Sequence, residues 1–172
     1  MNLVAEDAKS SDRVRSLSRN FCKSRNIGTV HAIWPPAEAG LGYSGDGFYI
    51  PYHMSNASIV SIHPYFKVQD GKLEEFKSLL PEFVAKTSTE EGCLYYHFTM
   101  NDDVIFCREA YVDGDAALAH LDNVGQLLEK ALGIAELLRL ELHGGEAELA
   151  KLREPLGGLT PQWFVYQDGV ES

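Results

Sequence analysis

Residues 59–121 read IVSIHPYFKVQDGKLEEFKSLLPEFVAKTSTEEGCLYYHFTMNDDVIFCREAYVDGDAALAHL, and the changes of period within them decide the fold. From Ile59 to Val68 apolar and polar residues alternate, as in a half-buried strand. Val60, Ile62, Pro64, Phe66 and Val68 fall on the core side, and Ile59, Ser61, His63, Tyr65 and Lys67 on the other. From Leu73 to Val84 the period is helical. Leu73, Phe76, Leu79, Leu80, Phe83 and Val84 form a stripe, Lys72, Glu74, Glu75 and Lys77 face water, and Asp70 is the expected cap. Pro81 removes the bond to Lys77 and is expected to bend this helix, at a cost of about 3 kcal/mol if nothing compensates.

Working outward, Glu90-Glu91-Gly92 closes a turn into a second strand, Cys93 to Met100. Asn101-Asp102-Asp103 joins it as a hairpin to a third, Val104 to Tyr111. Arg108 and Glu109 are neighbours on that strand and point to opposite faces, and only the hairpin register says which is inside. A helical region starts at Asp113 to Asp115 and continues to Leu132, with Gly125 as a candidate break. A fourth strand is expected from Ala135 to His143, a turn at Gly144-Gly145, a short helix from Glu146 to Leu156 and a last strand from Trp163 to Gln167.

The order is βαββαβ, an α+β fold of the ferredoxin-like kind with an extra short helix and strand. Its sheet carries helices on one face. The other contains Ile59, Tyr65, Tyr95 and Leu137, too apolar to leave in water, so two sheets are expected to pair face to face as a homodimer.

Composition bounds the rest. The 172 residues, 45% of them hydrophobic, suffice for one domain with a true core plus an appendage. Three cysteines, Cys22, Cys93 and Cys107, without metal-type spacing argue against a disulfide framework or zinc ribbon and for a reducing, intracellular setting. No apolar run reaches membrane-span length, so the chain is expected to be soluble. From Ala57 onward nine Lys/Arg face twenty Asp/Glu, a net charge of −11. So acidic a body, lacking a basic stripe, argues against a nucleic-acid partner.

The domain is therefore assigned to residues 57–172, and residues 1–56 to a poorly structured extension. That extension is Ser/Arg-rich early, with a local charge of +5 from Lys9 to Arg25. A loosely attached tail ranks first. An organelle transit segment over residues 1–53, or a true start at Met54, comes next. The expected location is cytoplasmic, with organelle import if residues 1–53 are a transit segment.

Residues 58–169 resemble the antibiotic biosynthesis monooxygenase group, which includes quinol monooxygenase-like proteins. The resemblance rests on Phe66 with Gly71-Lys72 and Phe76, on Glu90-Glu91-Gly92-Cys93 with Tyr96, and on Arg108-Glu109-Ala110-Tyr111. It rests also on Ala116 with Ala119-His120-Leu121, and on His143-Gly144 followed by Glu148-Leu149. The resemblance implies a dimeric α/β barrel with a pocket in each subunit and, in enzymatic members, oxygenation of electron-rich aromatics by O2 with no metal or flavin cofactor. Haem-degrading relatives use an Asn, a Trp and a His, where this chain has Ser61 or His63, Tyr111 and His120.

Such chemistry needs a base near neutrality, donors for the substrate anion and a dry pocket. The candidate bases are His63, His97 and His120. Ser61, Tyr65, Tyr95, Tyr111 and Arg139 are candidate substrate contacts. Against each stands a plainer role. A strand histidine is most often partly buried and satisfied by its neighbours, His120 can cap a helix or meet the dimer interface, and Tyr111 and Trp163 are core or interface aromatics by default. Arg108 and Glu109 read as a structural ion pair, and Cys93 and Cys107 as reduced, buried small residues. His63, His97, His120 and His143 with Glu109 or Glu141 offer a haem- or metal-binding alternative, though without helical or loop spacing. Three classes therefore compete: an oxygenase of quinols or polycyclic aromatics, a non-enzymatic small-molecule-binding or stress-related barrel, and a structural dimerisation module.

Overall fold

The computed structural model describes residues 56–170, so the calls on the N-terminal extension lie outside the described residues. Strand β1 (Val60–Val68) leads to helix α1 (Leu73–Thr87), the hairpin β2 (Cys93–Asn101) and β3 (Val104–Tyr111), and helix α2 (Gly114–Ile134). Strand β4 (Ala135–Gly144), helix α3 (Glu146–Leu156), a single 3-10 turn (Gly157–Leu159) and β5 (Gln162–Val165) follow. The sheet order is β2-β3-β1-β4-β5, antiparallel except for β5 beside β4. This is the expected α+β ferredoxin-like arrangement, with α3 and β5 added at the β4 edge.

Local chemistry explains most of the elements. In β1 every second residue from Val60 to Val68 is buried, as the alternation requires. In α1 the buried residues Phe76, Leu79 and Phe83 fall three and four apart, Glu74 and Glu75 occupy the first turn and Lys86 the last, matching the helix dipole. Burying each large side chain contributes roughly 1.5–3 kcal/mol. Asp113 caps α2, its carboxylate accepting from the Ala116 amide at 2.8 Å.

Two local expectations are corrected. Asp70 does not cap α1: the cap position is Lys72, with no side-chain capping bond, and Gly71 makes the turn at φ +74°, a conformation open to glycine. Pro81 lies within α1, which runs on past it to Thr87. Pro81 is exposed, and the buried Leu79 and Phe83 anchor the other side of the helix. Gly125 does not break α2, because Val124 and Leu127 beside it are buried and hold the helix down.

The core divides into two clusters on the helix-covered face of the sheet. One gathers Phe66, Phe76, Phe83, Ile105 and Leu127 between α1, α2 and the sheet. The other gathers Val60, Ile62, Leu142, Leu149 and Leu152 under α3. The hairpin register sets Tyr96 opposite Glu109 and His97 opposite Arg108. Glu109 thereby enters the helix-covered side, 4% exposed, and Arg108 goes to the open face, where it is exposed.

Candidate functional site

A cavity of about 400 Å³ lies between the sheet and the helices, and its wall draws on both clusters: Phe66, Phe76 and Phe83 from one, Ile62, Leu140 and Leu156 from the other. The wall is mainly apolar. Its polar members include Tyr96 and Glu109 from adjacent strands and His120 from α2.

These groups are held by a short run of contacts. Gly92, in the turn before β2, packs so closely on α2 that a Cβ there would lie 2.6 Å from Ala116 Cβ. One turn along α2 comes His120, and one more brings Asn123. Both reach Glu90, just before that turn: His120 Nδ1 lies 2.9 Å from Glu90 Oε2 and 3.1 Å from Oε1, and Asn123 Nδ2 donates to Oε1 at 2.7 Å. On its other edge, His120 Nε2 lies 3.1 Å from Glu109 Oε2, which also accepts a very short bond from the Tyr111 hydroxyl. The rings of Tyr111 and His120 tilt together with centroids 4.9 Å apart.

Because carboxylates flank both ring nitrogens, both must carry hydrogen, and the ring is an imidazolium. Burial opposes that charge, since His120 is only 2% exposed, but the bonds to Glu109 and Glu90 outweigh it and raise its pKa to about 9. Burial likewise works against the Glu90 carboxylate, yet the His120 and Asn123 bonds bring its pKa below the usual value. Tyr111 and Tyr96 are pushed far up, first by burial and then by the Glu109 charge, so both are neutral hydroxyls. Cys107, buried beside Tyr96, is also pushed up by burial and Glu109, and Cys93 by burial and Glu90. Neither thiol is activated. The two bonds onto Glu109 both end on Oε2, and Glu109 lines the cavity. Such a carboxylate, with a cation and a neutral hydroxyl fixed behind it, can exchange a proton with a bound molecule.

Of the expected site residues, the structure brings together two, His120 on the cavity wall and Tyr111 behind Glu109. The others are on the open face of the sheet. There His63 Nε2 lies 3.0 Å from Ser61 Oγ, its ring stacks on Phe106 and meets His143 edge-on, and Tyr65 lies against Phe106. The Arg139 guanidinium sits over Tyr65 and pairs with Glu141. His97 stacks on Tyr95, with Arg108 over the same ring. Glu109, Glu90 and Tyr96 were absent from the expected set. The signal for Glu109 was Tyr111 two residues on, which shares its side of the strand. Among the described residues, no three His, Cys, Asp or Glu side chains group so as to hold a metal ion.

Comparison with known proteins adds the lineage. The antibiotic biosynthesis monooxygenase family model matches residues 59–126, which include Glu90, Tyr96, Glu109, Tyr111 and His120. MupZ of Pseudomonas fluorescens is 39% identical to this chain, over 67% of this chain and 95% of its own, with a TM-score of 0.64. A Caulobacter crescentus protein described under the same family name is 26% identical over 51% of this chain and 89% of its own, at a TM-score of 0.45. Protein SO0527 of Shewanella oneidensis is 22% identical over 51% and 90%, at 0.47. No protein of curated function matches. With MupZ aligned along nearly its whole length and the family model spanning β1, α1, β2, β3 and the first half of α2, this chain belongs to the antibiotic biosynthesis monooxygenase family.

Proposed function

We propose that this protein is a monooxygenase that uses O2 as co-substrate, with no metal or flavin cofactor, on a hydroxylated polycyclic aromatic or quinol bound in the cavity. The observation that carries this reading is Glu109, which faces an apolar cavity and is backed by His120 at 3.1 Å. The substrate hydroxyl, or an acidic C–H beside the ring carbonyl, gives its proton to Glu109. Once Glu109 holds that proton the Glu90–His120–Glu109 trio is neutral, and the Tyr96 hydroxyl on the same wall donates to the resulting anion. The electron-rich anion reduces O2 and the carbon–oxygen bond forms; the peroxide takes the proton back from Glu109, and the hydroperoxide loses water with the hydrogen left on that carbon, leaving a carbonyl. One oxygen atom enters the product and the other leaves as water. Glu90 and Asn123 act as positioning residues, holding the imidazolium so that Nε2 faces Glu109.

The working unit in this reading is a homodimer paired through the open face, where Tyr95 and Phe164 are 37% and 41% exposed. Size-exclusion chromatography with light scattering tests it: a monomer at micromolar concentration overturns the pairing. A second reading, a small-molecule-binding barrel without turnover, draws on Glu109 Oε2 being already engaged by Tyr111 and His120. Oxygen uptake by the full chain with a panel of quinols and anthrone-like aromatics separates the two. The monooxygenase reading expects uptake that falls at least about 100-fold in Glu109→Gln and persists in His63→Ala and His97→Ala. No uptake above the uncatalysed rate with any compound, by folded protein that binds them, favours the binding barrel.

A further inference from the structure

The charge of the cavity says what kind of molecule it admits. Besides Glu109, its wall includes the carboxylate of Glu129 and, among the described residues, no Lys or Arg. The one cation among the described wall residues, His120, is held by Glu90 and Glu109 together, so that buried trio carries a net charge of −1. An anion entering this apolar space would give up hydration and meet carboxylates without a free cation to pair with. Glu109 weighs most, because it is buried and its field is little screened, whereas Glu129 is exposed and acts within a Debye length of about 10 Å at 0.1 M salt.

We propose that this cavity selects uncharged or cationic apolar molecules and excludes anions, and so takes neither free carboxylic acids nor sulfonates nor phosphate esters, with Glu129 a specificity-determining residue at its edge. The inference rests on the cavity being the ligand site of the proposed function. It narrows that function's substrates to phenols, quinols and amines that reach the protein without an acidic group.

The test uses two fluorescent probes that share one ring system: N-phenyl-1-naphthylamine, which is uncharged, and its 8-sulfonate. Each is titrated into the full chain at low and at 0.5 M salt. Binding counts as cavity binding where Gly125→Phe removes it, since Gly125 lines the cavity and its Cβ position is open. The expected result is saturable cavity binding of the uncharged probe and at least 10-fold weaker binding of the sulfonate at low salt. The gap should narrow at high salt, and Glu129→Lys should narrow it further. Equal or tighter cavity binding of the sulfonate overturns the proposal, and so does failure of the uncharged probe to bind. Because this assay reads binding and not turnover, selective binding without oxygen uptake would sink the oxygenase and leave the charge selection standing.

Discussion

The two faces of the sheet carry nearly the same side-chain types and behave in opposite ways. On the helix-covered face, His120 is buried between Glu109 and Glu90, and its pKa rises to about 9. On the open face, His63 lies near His143, Glu141 and Arg108, and its pKa falls below the usual 6.5. Burial lowers both. At His120 two carboxylates in direct contact reverse the sign. At His63 the attraction of Glu141 and Glu109 is outweighed by burial together with the neighbouring His143 and Arg108. The lesson is that contact geometry, rather than residue type or depth alone, decides whether a histidine is held as a cation.

The largest test of that contrast removes a carboxylate from each side. Glu109→Ala leaves a buried imidazolium with one partner and should cost about 3–5 kcal/mol. Glu141→Ala on the open face, where its partner Arg139 is half exposed, should cost less than about 1 kcal/mol. Urea unfolding of both variants at pH 7 measures the difference, and equal losses would break the comparison.

Acid and base should next act on the two faces with opposite sign. His120 binds its proton more tightly folded than unfolded, so its contribution is complete below pH 6.5 and is lost as pH rises through about 9. That contribution amounts to about 3 kcal/mol. His63 binds its proton less tightly when folded, so it erodes stability as pH falls below 6.5 toward its lowered pKa. Unfolding midpoints from pH 5 to 10 should therefore lose their alkaline decline in His120→Gln and part of their acid decline in His63→Gln. An unchanged alkaline limb in His120→Gln would assign that limb to another group.

Smaller effects sharpen the picture. Gly92→Ala forces a Cβ to within 2.6 Å of Ala116 Cβ and should cost about 1–3 kcal/mol. It displaces the turn beside Glu90, so the His120 pKa, read by NMR titration, should fall with stability. Ser61→Ala removes only a half-buried bond to His63 and should change stability by less than about 0.5 kcal/mol.

Much of this architecture was written in local pattern. The alternation of Val60 to Val68, the helical stripe from Phe76 to Phe83, the Asn101-Asp102-Asp103 turn and the late helix Glu146–Leu156 all follow from periods that a chain cannot hide, because each face must meet either core or water. The site was legible only in part. His120 and Tyr111 stood out, but strand β3 is apolar on both sides, with Phe106 and Ala110 on the side of Arg108, and Ile105, Cys107 and Tyr111 on the side of Glu109. Its own pattern therefore did not say which charged neighbour went inside. Only the pairing of Tyr96 with Glu109 across the hairpin, and the packing of Gly92 on Ala116, turned Glu109 inward and brought Glu90 to His120. Local pattern determines which residues share a face. Which faces meet, and so which histidine becomes a buried cation, is settled by contacts between residues distant in sequence, as His120 and Glu90 are, and those exist only once the chain has folded.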